Sequence, residues 1–142
     1  MREIKFRIFD KKENEMFYSN MYQNKTSMIY GLGNFLKECS DIEEPIMQFT
    51  GLKDKNGVEI YEGDIVNFQH IDDYGYMTNV FQNGFYRGVV KWGEHYPAFD
   101  IFDIKDNSTF GFDCNIFSME SDIVIEVIGN IYQNSELLNT KG

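Results

Sequence analysis

Proline is scarce, with two residues in 142, too few for a linker-rich or disordered chain. Cysteine is equally scarce. Cys39 and Cys114 stand alone in their neighbourhoods, which gives no disulfide framework and makes each most simply a small apolar residue. No apolar run approaches the ~20 residues of a membrane span. The opening Met1-Arg2-Glu3-Ile4-Lys5-Phe6-Arg7 is charged at every second or third position, so it lacks the apolar core of a signal peptide. The expectation is a soluble, cytoplasmic protein without a membrane partner.

Basic residues are also few, 13 against 23 acidic ones, for a formal net charge of -10. Phosphate neutralisation needs a basic stripe, and Lys53 with Lys55, or Arg87 with Lys91, are each diluted by nearby acids. Nucleic acid is therefore disfavoured as a partner. The acids are spread along the chain, which serves solubility. A sharper reading is imitation of a polyanion.

Sites for chemistry are missing too. Glu62 with Asp64 is the most visible carboxylate pair, yet it flanks a glycine turn where acids are ordinarily solvated. His70 and His95 lie far apart, outside any His-x-His or His-Glu-x-x-His spacing. Asp72 and Asp73 beside His70 read as a polar loop. The stretch from Asp103 to Cys114 fails as a calcium loop, having Ser108 where glycine is needed and Cys114 in place of the bidentate Glu. Ser108 and Ser121 have no nucleophile elbow, and no Gly-rich phosphate loop is present. No enzyme, metal site or cofactor is expected.

What is present is a foldable chain, 42% hydrophobic and 25% charged, of a length that suits one domain, 1–142. Period-two alternation dominates. Ile4–Ile8 and Met16–Tyr18, joined by the polar Asp10–Glu15, predict a hairpin. Ile29, Leu32, Phe35, Leu36 and Cys39 fall at helical spacing, although Gly31 and Gly33 weaken a helix there by about 1 kcal/mol each. Pro45 ends that helix before a strand at Ile46–Phe49. Asp54-Lys55-Asn56-Gly57 predicts a type I′ turn around Asn56 and Gly57. A second tight turn, Tyr61-Glu62-Gly63-Asp64, leads into Ile65–Phe68. Further strands are read at Gly88–Trp92, Phe99–Phe102 and Ile123–Ile128, and a single helical turn near Asn134–Leu138. Short strands at this density imply a mainly β, barrel- or sandwich-like fold.

Aromatics are the compositional excess, with 13 Phe, 9 Tyr and 1 Trp. Between Tyr74 and Tyr96 they crowd a segment also rich in Gly and Asn. Tyr74, Tyr76, Phe85, Tyr86, Trp92 and Tyr96 are the candidate interface residues. Aromatic cross-strand pairs in a β core explain the same residues equally well.

Three segments carry a family resemblance: Met1–Arg7 with Phe9-Asp10, then Met47–Val66, then Glu126–Leu138. Together they resemble the YopX family of bacteriophage and prophage proteins. The resemblance runs through the chain in order, departing at Phe9, where the family has Trp, and at Ser135, where it has Pro. Ser19–Glu44 and Gln69–Phe117 carry no motif that adds to the resemblance and are read as the variable segments in which a protein-specific activity would reside. It implies a small barrel-like fold, SH3-like or pseudobarrel, with one or two short helices, a phage origin and the cytoplasm of a bacterial host. No agreed activity, cofactor or catalytic residue comes with it.

The expected function is a non-enzymatic accessory protein that binds itself and a host or phage protein. An acidic inhibitor that occupies the nucleic-acid groove of a host defence or replication enzyme is the alternative. A nucleic-acid-binding β barrel is a third reading that the charge opposes. Self-association follows from edge strands such as Ile123–Ile128, broken only by Glu126, which must lie centrally or be covered by a partner.

Overall fold

A computed structural model describes residues 3–19, 28–70, 86–93, 98–104 and 123–139, with the backbone alone at 28–32, 69, 70, 86 and 123. Its strands are β1 (Phe6–Asp10), β2 (Glu15–Tyr18), β3 (Met47–Lys53), β4 (Glu59–Tyr61), β5 (Asp64–His70), β6 (Tyr86–Trp92), β7 (Phe99–Asp103) and β8 (Ile123–Asn130). One short helix, α1 (Met28–Glu38), lies between β2 and β3 in the chain. The strands form two four-stranded antiparallel sheets, ordered β2-β1-β3-β4 and β7-β6-β5-β8, one of them curled into a half-barrel. This is the mainly β, barrel-like class that the alternation predicted. The chain gathers into two compact units, Met1–Gly51 and Leu52–Gly142, with the division falling inside β3.

In the first unit the predicted hairpin forms, with Ile8 opposite Phe17 and Asp10 opposite Glu15. The Asp10 carboxylate accepts the Lys12 N–H at 2.9 Å and so shapes the turn from within. Ile8, Phe35 and Cys39 make a buried cluster, with Phe6, Phe17 and Ile42 packed against it. The helix therefore forms despite its two glycines, with Phe35 buried within it and Cys39 buried just past its end. Leu36, read as part of the apolar stripe, is 47% exposed, so the buried stripe is narrower than the spacing suggested. On β1 the charged position Arg7 is buried along with Ile8 and Phe9, so both faces of this strand are covered.

In the second unit Ile60, Val66, Phe68, Val90, Phe99 and Ile101 form the core, joined by Leu52, Ile125 and Val127. Each fully buried side chain of this size contributes about 2 kcal/mol. β5 pairs with β6 on one side and β8 on the other, and Ile65 and Val66 are wholly buried. Along β8 the register slips: Ile65 faces Gly129 while Val66 faces Val127, leaving Ile128 as the extra residue of a bulge.

Asp54 holds the turn that ends β3. Its Oδ1 accepts the N–H groups of Asn56 at 2.8 Å and Val58 at 2.9 Å, and its Oδ2 accepts the Val127 N–H at 2.9 Å. Alongside, the Lys55 N–H donates to the Ile125 carbonyl at 3.0 Å, and the Lys55 ammonium lies 3.4 Å from the Glu126 carboxylate. β8 stands last in its sheet, and these two bonds occupy its outward backbone at Ile125 and Val127. Among the described residues the apolar strand is thus an edge, and at these two positions its cover is a turn of its own chain and not the partner that its sequence suggested.

The turn itself differs from the type I′ expectation. Gly57 donates its N–H to the Asp54 carbonyl at 3.0 Å, making Lys55 and Asn56 the central residues. Gly57 alone has a positive φ, +82°, while Asn56 keeps a negative one. With Asp54 N–H also bonded to the Val58 carbonyl at 2.8 Å, this is a three-residue hairpin loop closed by a left-handed glycine. At the far end of β8, Gly129 answers a different constraint. A Cβ there would meet the Asn134 side chain at 2.6 Å from its Cγ, and that side chain accepts the Asn130 N–H at 3.1 Å.

Three substitutions test these assignments in urea unfolding. Gly33→Ala, at an exposed helical site where a Cβ meets nothing within 4 Å, should raise stability by about 1 kcal/mol. Gly57→Val should cost about 2 kcal/mol through its left-handed φ, and an unchanged midpoint would place the bend elsewhere. Asp54→Ala should cost about 2 kcal/mol or more, since it removes a buried carboxylate that accepts three part-buried backbone N–H groups; a loss below about 1 kcal/mol would show that the interlock is incidental.

Candidate functional site

Trp92 ends β6 directly opposite Phe99, the first residue of β7. Gly93 donates its N–H to the Ala98 carbonyl at 2.6 Å, so the two rings stand at the neck of a hairpin loop. They meet edge to face, with centroids 4.9 Å apart and planes at 83°. Phe99 belongs to the core, and Trp92, on the same face of the sheet as Val90, continues that core outward to 48% exposure. The indole thus serves in a cross-strand pair and also presents apolar surface. On the other face, the Lys91 ammonium lies 5.3 Å from the Phe102 ring centroid.

Tyr86 begins β6 opposite Phe68, with only its backbone described. Tyr74, Tyr76, Phe85 and Tyr96 lie outside the described residues, as do His95, Cys114 and most of the Asp103–Cys114 stretch. Of the six candidate interface residues, the structure therefore places the side chain of Trp92.

Of the chemical candidates, Asp64 takes a backbone role. The buried Asp64 accepts the Tyr61 N–H at 2.7 Å through Oδ2, holding the Tyr61–Asp64 turn. Gly63 in that turn donates to the Val90 carbonyl at 2.8 Å and accepts the Ile131 N–H at 3.0 Å. His70 supplies the last rung of β5, opposite Ile123. Cys39 is buried, and burial first, then the neighbouring Glu38 carboxylate, push its thiol above the ordinary value, which disfavours the nucleophilic thiolate. Among the described residues no three His, Cys, Asp or Glu side chains gather as a metal site. Among them, too, no helix is long and apolar enough to cross a membrane.

Sequence reasoning assigned Asp54 to its own turn and missed its second oxygen, because nothing local marks Val127 as its partner. It also passed over Asp100, which is wholly buried and accepts the Ile101 N–H at 2.8 Å. The Asn130 side chain is a third such group: its Oδ1 accepts the N–H groups of Tyr132 and Gln133 at 3.0 and 2.9 Å. Asn-x-x-x-Asn after a strand was the available signal for that turn. The segments Met47–Val66 and Glu126–Leu138 are thus joined by hydrogen bonds through Asp54 and Gly63 and by the ion pair of Lys55 with Glu126.

The family model described as "YopX protein" matches residues 5–139. Among curated proteins none matches the chain. A solved structure that resembles it is the crystal structure of protein EF1440 from Enterococcus faecalis, at 27% sequence identity and a TM-score of 0.53, over 98% of this chain and 100% of that one. With the family's model matched across nearly the whole length, the chain belongs to the YopX protein family.

Proposed function

We propose that this protein is a non-enzymatic phage or prophage accessory protein that acts in the bacterial cytoplasm by binding itself and a second protein. The observation that carries this reading is Trp92, the chain's single tryptophan, anchored on Phe99 and yet half exposed at a loop neck. Tryptophan and tyrosine on such positions supply much of the anchoring energy of protein interfaces. The flanking sequence carries Tyr74, Tyr76, Phe85, Tyr86 and Tyr96 in the same stretch. Asp54 and Lys55 occupy the outward backbone of the apolar strand β8 at Ile125 and Val127, which favours this aromatic segment over that edge as the self-association surface.

The acidic-inhibitor reading draws support from the net charge of -10. Against it, Glu3, Glu44 and Glu126 lie within 3.1 to 3.4 Å of Lys5, Lys11 and Lys55, which breaks any row of bare carboxylates at those points. Binding through aromatics is the better supported of the two.

The test is light scattering behind size exclusion, together with tryptophan fluorescence across a dilution series. The expected mass exceeds one 16.7 kDa chain, and the emission shifts to the blue as concentration rises and the indole is covered. Trp92→Ser should lower the mass toward one chain while the fold persists by circular dichroism. A single-chain mass at high concentration with unmoved emission would overturn self-association through this site.

A further inference from the structure

Asn56 and Gly57 form one of two Asn-Gly pairs in the chain, the other being Asn83 and Gly84. Asn-Gly is the sequence that most readily deamidates, because glycine offers little hindrance to its own amide nitrogen. In that reaction the Gly57 nitrogen gives up its proton to solvent base and bonds to the Asn56 Cγ. The bond from Cγ to the side-chain nitrogen breaks and ammonia leaves. Water then opens the resulting succinimide, producing aspartate or isoaspartate. The sum is one water consumed and one ammonia released, and no other reactant is needed.

Exposure invites this chemistry at Asn56, whose side chain faces solvent at the hairpin tip. The bonding of the turn opposes it. The attacking nitrogen is occupied: the Gly57 N–H donates to the Asp54 carbonyl at 3.0 Å. The electrophile's own backbone is fixed as well, since the Asn56 N–H donates to Asp54 Oδ1 at 2.8 Å and the Val58 N–H to the same oxygen at 2.9 Å. Ring closure requires the Gly57 N–H bond to break and the Asn56 backbone to rotate, and both are held by the one residue that also grips β8 through Val127.

We infer that Asn56 is a latent self-modification site, closed in the folded protein by the Asp54 turn and released to deamidate whenever that turn opens. The product adds a negative charge at the tip. Where isoaspartate forms, it also lengthens the backbone by one atom inside the loop that covers the β8 edge, so opening becomes irreversible.

Peptide mapping by mass spectrometry, on protein aged in mildly alkaline buffer, reads each Asn-Gly pair separately. In urea-unfolded protein Asn56 and Asn83 should convert at similar rates, which sets the reference. In folded protein Asn56 should convert roughly tenfold more slowly than in urea, the factor expected from one retained hydrogen bond. Amide hydrogen exchange supplies the independent measurement. The slowing at Asn56 should match the protection factor of the Gly57 amide and fall with it as sub-denaturing urea is added. Equal conversion of Asn56 in folded and unfolded protein would overturn the inference, as would slowing unrelated to Gly57 protection.

Discussion

The second unit depends on one carboxylate. Asp54 receives three backbone N–H groups, two from its own loop and one from Val127, 73 residues away in sequence. A carboxylate is suited to this because it accepts through both oxygens and donates through neither; an asparagine would turn its NH₂ toward one of the three donors. Charge-assisted bonds of this kind are about twice as strong as neutral ones. Asp54 is only 8% exposed, so water cannot easily stand in for it. The same contact closes the β3–β4 loop, fixes β8 against it, and satisfies an edge that would otherwise offer its backbone to another chain.

That arrangement bears on what the surface is free to do. The residues that carry the family resemblance are largely spent on architecture: Asp54 and Lys55 on β8, Gly63 on Val90 and Ile131, Asn130 on the turn that follows it. They leave little side-chain chemistry for a substrate. Trp92 lies at the end of β6, the strand that the Gly63 turn grips at Val90, and its indole is left outside those backbone bonds.

How far the sequence could be read follows from the range of each interaction. Strands announced themselves because period two is a local property, visible in Phe6-Arg7-Ile8 or Ile65-Val66-Asn67-Phe68. The Asn56-Gly57 bend was legible as a bend, and its type was not, since the choice between two left-handed residues and one is made by the bonds of Asp54 to Val58. Ile123–Ile128 looked too apolar for an edge, and it is one, because the cover comes from a loop that only the folded chain brings alongside. Arg7 was an ordinary charged position in an alternating strand, and its burial is set by what covers the second face of β1. Trp92 could be named as a candidate from composition alone, whereas its double role needed the ring geometry with Phe99.

The same distinction decides how the acidity should be weighed. Asp54, Asp64 and Asp100 are all buried, and each accepts backbone N–H groups at 2.7 to 2.9 Å, so three of the 23 acids are structural members of the fold. Their charge cannot reach a partner's basic groove. Others, at Glu3, Glu44 and Glu126, stand within ion-pair distance of lysines. Net charge therefore overstates the carboxylates available for imitating a phosphate backbone, even though all of them count toward solubility. An exposed indole, by contrast, costs free energy in water unless something covers it, and this one is held in place by an edge-to-face contact with a core ring. Trp92 therefore offers a better-defined apolar contact for the proposed binding than the dispersed acids offer a charged one, and the acids serve solubility.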